Sequence, residues 1–211
     1  MDAGSGERRL LTPDTVSCSA AAAALGFRPL PKRLASGEML AGFGIFASAE
    51  AGRRTIACVP RLEQGTCSAV ALLPLSEMGI DCTPDVVIIG ALPEQLMWLA
   101  LASVHDTGGR LEFSTGVVQA TCVDAAILPF LTGRPNVTLG CYGCREATDL
   151  DDDEGVIGIP GPMLAQVAMN LRQLAAKALP RVREKAAYRY LQGRLTTPAD
   201  LGVQEGDHAA E

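Results

Sequence analysis

The stretch PDVVIIGALPEQLMWLALASV, residues 84–104, constrains the fold of this chain more than any other. Val86 to Ile89 is a β-branched run of the kind that forms a strand buried on both faces. Pro93 then falls where a first helical turn tolerates proline, because the N–H it lacks has no helical acceptor there. Glu94 suits the positive end of the helix. The following helix is apolar nearly all round, which predicts an internal position.

Around this unit the sequence alternates short helical and strand-like segments. CSAAAAALGF, beginning at Cys18, reads as a short helix capped by Asp14 or Thr15 and stopped by Gly26. GEMLAGFGIF (37–46) is a second helical patch, while TIACV (55–59) and SAVALLPL (68–75) have strand composition. RLEFSTGVVQAT (110–121) predicts a strand pair, or one strand bent at Gly116. A short helix over Val123–Leu128, closed by Pro129 and Gly133, leads to a strand, NVTL, that delivers the segment CYGC. From PGPMLAQ onward a long helix carries Leu164, Val167, Ala168, Leu171, Leu174 and Ala178 on one face, and Pro180 is expected to bend or end it. The expected class is α+β: a single compact mixed domain over 14–195 with a small sheet, an internal apolar helix and a long C-terminal amphipathic helix. Residues 1–13 and 196–211 are polar and expected to be flexible tails.

Charge and residue usage narrow the function. An apolar fraction of 48% in 211 residues supplies a core, and a net charge of −6 argues against a nucleic-acid footprint. Neither a membrane-length apolar run nor a secretory leader is visible, so a cytoplasmic location is expected. Asn136-Val137-Thr138 matches a glycosylation sequon that is empty without secretion. Of the two histidines, His208 lies in a polar tail and His105 is left as the ordered imidazole, which disfavours histidine triads and multi-histidine zinc sites.

Seven cysteines, an odd number in a chain too large to need disulfide staples, point to core residues, metal ligands or redox thiols. Cys141 and Cys144 form a C-x-x-C on a turn eased by Gly143. A thiolate pair there suits zinc, an iron–sulfur cluster or a redox couple, and a structural turn is the alternative. Zinc would want a second such pair. A thioredoxin-like couple would want the pair to open a helix after a strand, and REATDLDDDE does not read as an amphipathic helix. Cys18 and Cys122 sit near expected helix starts, where a thiolate is favoured, with Asp124 two residues beyond Cys122. Cys58 and Cys82 read as small buried side chains. The acidic run from Asp149 to Glu154 fails the calcium-loop pattern, which needs Gly sixth and Glu twelfth but finds Glu154 and Pro160. GFGIFA lacks the βαβ surroundings of a dinucleotide loop. Arg145 could hold an anion beside CYGC, but pairing with the acidic run is the stronger expectation.

Taken together, CSAAAAALGF (18–27), LASGEMLAGFGIF (34–46), VPRLEQG (59–65), the stretch 72–102, GVVQATCVDAAILPFLTGRPNVTLGCYGCR (116–145) and DDEGVIGIP (152–160) resemble the uncharacterised family called domain of unknown function 169. The resemblance covers roughly residues 14–178. It implies a compact α+β domain common in anaerobic bacteria and archaea, with cysteines at the places of Cys18, Cys122 and Cys141 and an arginine at that of Arg145. The family usually carries further sequence, including an apolar segment, before the first cysteine block. Three matching cysteines far apart in sequence are most simply explained by one shared site.

The resulting expectation is a cysteine-ligated cofactor protein, an iron–sulfur cluster being the cofactor that thiolates without histidines suit best. Cys18, Cys122 and Cys141 would be ligands and Cys144 a fourth. Arg145 would tune the potential or bind an anion, and Asp124 would orient the site. The role would be electron transfer or a redox step of an anaerobic pathway. Expected partners are a redox protein or small-molecule ligand, and a second copy of the chain or a partner chain; neither nucleic acid nor membrane is expected. Two alternatives stand beside it: a non-redox binding module whose pocket is lined by the helix at 94–104, and a metal-free enzyme with Cys141 or Cys122 as nucleophile.

Overall fold

The computed structural model describes residues 8–79, 82–147 and 150–192. It separates into two units, Met1–Val167 and Ala168–Glu211. The first is an α+β assembly around a three-stranded antiparallel sheet of order β3 (Val86–Ala91), β5 (Gly155–Pro160), β4 (Asn136–Thr138). A separate two-stranded ribbon joins β1 (Arg9–Leu11) to β2 (Val70–Leu72). Residues 9–11, expected in a flexible tail, are therefore paired; the end from 193 onward lies outside the described residues.

β5 is the centre of the sheet, and all six of its residues are buried. Val87 pairs with Ile159 and Ile89 with Ile157 on one side, and Val137 pairs with Ile157 on the other. Two glycines explain how it is covered. A Cβ at Gly155 would lie 2.7 Å from Leu96 Cδ1 of α5 (Pro93–Val104), whereas a Cβ at Gly158 would collide with the Ala125 carbonyl and stand 2.8 Å from Pro129 Cγ. Positions three apart in a strand face opposite ways. Helices therefore lie on both faces of β5: α5 on one, and on the other a π-helix (Ala120–Ile127) that continues into α6 (Leu128–Thr132).

The double-sided burial expected of Val86–Ile89 thus belongs to β5. In β3 the pattern alternates, with Val87 and Ala91 buried and Ile88 exposed, because β3 is an edge strand of the sheet. α5 forms where expected, with Pro93 in its first turn. It is not internal: only Leu96 and Ala102 are buried, while Met97 and Leu101 are exposed. One packed stripe suffices to hold a helix whose remaining apolar residues face outward.

Other expectations change for local reasons. The N-cap position of α1 (Ser19–Ala24) is Cys18, which makes no side-chain capping bond, and not Asp14 or Thr15; the Thr15 hydroxyl instead accepts from Thr12 N at 2.7 Å. Gly26, at φ 71, ends it as expected. TIACV is not a strand but the last turn of α4 (Ala49–Ala57) with the residues after it. Ser48 caps α4, Arg53 grips Glu50 one turn back, and Ile56 turns inward. Only Glu38–Gly42 of the second helical patch is helical (α3), following the single turn α2 (Lys32–Ala35). Leu34, Leu40 and Ile56 from α2, α3 and α4 form one small core. RLEFSTG forms no strand; its Ser114 is held instead by the Asn136 side chain.

In the second unit, the helix α8 (Leu164–Gln192), which begins in the first, runs on through Pro180, so that proline does not end it. No helix among the described residues is long and apolar enough to cross a membrane.

Candidate functional site

Three helix starts carry the cysteines that the sequence singles out. Cys18 is the N-cap of α1. Cys122 is the third residue of the π-helix. Cys141 directly precedes α7 (Tyr142–Ala147), so the C-x-x-C does open a helix after a strand, β4, contrary to expectation. That helix is only six residues long, with no apolar periodicity for a pattern reading to find. Its first turn is closed by Cys144 N and Arg145 N, which donate to the Cys141 carbonyl at 3.0 and 3.2 Å.

Backbone constraints set these starts. Gln119 precedes the π-helix with left-handed backbone, φ 58, alone among the described non-glycine residues. Such a conformation costs roughly 1–3 kcal/mol. A 2.7 Å bond from Gln119 Nε2 to the Ala20 carbonyl works against that cost and ties the π-helix start to α1. Cys122 packs beside Val16, Ala21 and Ala22 on one side and Ala24, Val123 and Ile127 on the other. Between β4 and α7, Gly140 takes φ 78, and a Cβ there would stand 2.6 Å from Leu150 Cδ2. The positive φ favours glycine before Cys141, whereas the Leu150 methyl, at the tip of a flexible side chain, can move aside.

The electrostatics link the thiols. Cys141 is lowered to about 5, chiefly because Cys144 donates its S–H to it, with backbone N–H groups of Cys144, Ala120 and Thr121 adding to the effect against burial. The two sulfurs are 3.3 Å apart. Cys144 is pushed up, first by holding that shared proton and then by burial, while the Thr121 hydroxyl acts in the opposite direction. Cys122 is pushed up to about 12, by burial first and then by the charges of Cys141 and Cys18. Cys18, Cys122, Cys141 and Cys144 therefore lie in one electrostatic neighbourhood, although Cys18 is exposed and the others are half-buried. Cys58 and Cys82, read as buried, are exposed, and Cys67 donates to the Leu25 carbonyl at 3.6 Å.

Asp124 reaches the same neighbourhood from beneath. Only 5% exposed, its Oδ2 accepts from Gly116 N at 2.6 Å and from Thr138 Oγ1 at 3.2 Å. Thr138 Oγ1 in turn accepts from Gly140 N at 3.3 Å, so the chain of bonds ends one residue from Cys141. Burial raises the Asp124 pKa, the two hydrogen bonds oppose it, and the charge of Cys141 adds to the rise. Asn136 Nδ2 donates to the Asp124 carbonyl at 2.9 Å. Arg145 is occupied by main chain: its guanidinium donates to the carbonyls of Leu139, Asp151 (2.8 Å) and Glu154 (2.7 Å). It reaches the acidic run through carbonyls, and it clamps the 150–154 loop to α7.

Sequence reasoning missed Gln119, Thr121, Thr138 and Gly140. Of these only Gly140, a glycine placed directly before a cysteine at a strand end, carried a readable signal. Among the described residues no three His, Cys, Asp or Glu side chains are disposed to close on a single metal ion.

Comparison with known proteins places this geometry in a family. The model of the DUF169 family, described as "Uncharacterised ArCR", matches residues 1–170 and ends close to the boundary of the first unit at Val167. An uncharacterised protein of Methanocaldococcus jannaschii is 31% identical over 164 residues, which are 76% of this chain and 69% of that protein. No solved structure matches. With the match covering most of the sequence and the whole of the thiol pocket, the chain belongs to the DUF169 family.

Proposed function

We propose that this chain holds a prosthetic centre through the thiolates of Cys18, Cys122 and Cys141, an iron–sulfur cluster being the centre the donors suit best, and that it serves electron transfer or a redox step of an anaerobic pathway. One observation carries the reading: the Cys122 thiol feels the charge of both Cys141 and Cys18, residues from distant parts of the chain. Brought together at three helix starts, these groups would repel each other as thiolates, and a cationic centre would reverse that cost by taking them as ligands. All the donors are sulfur, which favours a soft centre.

The arrangement suits a cluster better than a single ion. A mononuclear zinc site needs every sulfur about 2.3 Å from one point, and the described residues contain no such convergence. A cluster distributes its ligands over several irons. The proposed ligand set is Cys18, Cys122 and Cys141, with one position left to solvent or substrate; Cys144 instead shares a proton with Cys141, its sulfur 3.3 Å away. The centre would supply one-electron chemistry. The protein's part is to hold the thiolates at three helix starts.

Anaerobic reconstitution with iron and sulfide tests this directly. Bound iron, bound sulfide and visible absorbance are expected for the wild-type chain, with loss in Cys18→Ala, Cys122→Ala and Cys141→Ala. Iron retention unchanged in all three variants overturns it. A second reading, a metal-free enzyme with Cys141 as nucleophile, is supported by the lowered pKa of that thiol. Under it, a single thiol, Cys141, reacts with iodoacetamide far faster than the rest, and no iron is bound.

A further inference from the structure

The cofactor reading leaves Cys144 without a role, although it has the closest sulfur neighbour in the pocket. We propose that Cys141 and Cys144 form a reversible dithiol–disulfide couple that exchanges electrons with an external disulfide. This goes beyond the cofactor reading and does not depend on it.

Geometry carries the proposal. A disulfide bond is about 2.05 Å long, so the sulfurs, now 3.3 Å apart, need approach by only about 1.2 Å. The backbone already brings the two residues into one turn, with Cys144 N donating to the Cys141 carbonyl at 3.0 Å. The pair lies where β4 passes through the Gly140 turn into α7, with Cys141 preceding the helix and Cys144 in its first turn. The Cys144 thiol, 3.3 Å from the Cys141 sulfur, is placed to donate to the sulfur that must attack and later leave. The site is also reachable. Tyr142 and Leu139 are 67% and 68% exposed, and a Cβ built on Gly143 meets nothing within 4 Å.

The exchange balances in two steps. The Cys141 thiolate attacks one sulfur of R–S–S–R, whose S–S bond breaks; R–S⁻ departs and takes up a proton. Cys144 then gives up its proton and attacks Cys141 in the mixed disulfide, closing the Cys141–Cys144 bond and releasing the second thiol. Two electrons pass from the chain to the external disulfide, the two thiol protons end on the two R–SH products, and the reverse sequence regenerates the dithiol. Closing the bond also withdraws Cys141 as a ligand, so oxidation would release the proposed centre.

The test uses the full reduced, chelator-treated chain, incubated anaerobically with glutathione disulfide, acid-quenched and alkylated. Loss of two alkylation adducts, a linked Cys141–Cys144 peptide and full alkylation of the remaining cysteines are expected. Cys144→Ser should trap glutathione on Cys141, and Cys141→Ser should form neither product. A parallel arm with insulin separates the source of the disulfide: exchange with either probe supports the couple, and the faster one identifies a small molecule or a polypeptide as its class. The proposal is overturned if Cys141 and Cys144 stay fully alkylatable with both probes. It is equally overturned if the trapped adduct is as stable in the wild type as in Cys144→Ser, or if Cys141 links to Cys122 or Cys18 instead. Iron retention by Cys144→Ser, read separately, keeps the fate of the cofactor reading distinct.

Discussion

Substituting Asp124 separates what its oxygen accepts from what its charge costs. Asp124→Ala removes the acceptor of two donors, Gly116 N at 2.6 Å and Thr138 Oγ1 at 3.2 Å. A buried donor left unsatisfied costs roughly 1–3 kcal/mol. Thr138 has a fallback in Thr115 Oγ1 at 3.1 Å, whereas Gly116 N does not gain one, so the total falls in the lower half of the summed range, about 3 kcal/mol. For a chain of this size that lowers Tm by roughly 6–12 °C. Asp124→Asn behaves differently. Both bonds land on the same oxygen, Oδ2, and an amide oxygen placed there accepts both. The charge disappears with it. Because the folded state raises the Asp124 pKa, the folded carboxyl holds its proton at pH values where the unfolded one has lost it. Its contribution is therefore complete in acid and declines as pH rises through the folded pKa. The Asn variant has no such decline and should equal or exceed the wild type at neutral pH. Urea denaturation followed by circular dichroism, from acid to neutral pH, measures all three chains. Equal losses for Ala and Asn, or none for Ala, would refute the acceptor argument.

Two further substitutions probe the frame of the site. Gly158→Ala drives a methyl group into the Ala125 carbonyl, a backbone atom of the π-helix that cannot swing aside, and should cost about 3 kcal/mol, at the top of the overpacking range. Gly143→Ala, which enters open space within α7, should instead be stabilising by about 0.5 kcal/mol; a comparison of the two melting temperatures checks both. Arg145→Lys keeps the charge but not the planar fork that reaches three carbonyls, so hydrogen exchange at residues 150–154 should accelerate while distant amides are unchanged.

What was legible in the sequence was what periodicity and punctuation encode. Val86–Ala91 and Pro93–Val104 announced themselves by a β-branched run followed by a helix-starting proline, and both formed. β5 was missed as an element, although GVIGIP is a short apolar run with β-branched residues. Its two glycines interrupt the apolar run in the sequence, and each lets a helix approach one face of a central strand. The exposure of α5 was illegible because composition reports how apolar a helix is and not how many neighbours it finds. Within the site, Cys18, Cys122 and Cys141 stood out as residue types at helix starts. The residues that hold them did not: Gln119 acts through an unusual backbone angle, and Thr138 through a single hydroxyl. None of these leaves a pattern in one sequence.

The π-helix explains why the thiols and the core cannot be altered independently. Its inward residues Val123, Ala125 and Ile127 are at most 2% exposed, and the Ala125 carbonyl lies where Gly158 leaves room on β5. Asp124, between them, joins the helix to Thr138 at the end of β4 and to the loop at Gly116. The first turn of the same helix supplies Cys122 to the pocket, and the main chain of Ala120 and Thr121 favours the Cys141 thiolate. The wider turns of a π-helix place an extra residue in each circuit, and such segments recur at functional sites. Here one short element faces the sheet, the polar network and the thiols at once. A change that shifts its packing on Gly158 should therefore reach the Cys141 sulfur through two or three residues of rigid backbone, without touching any cysteine.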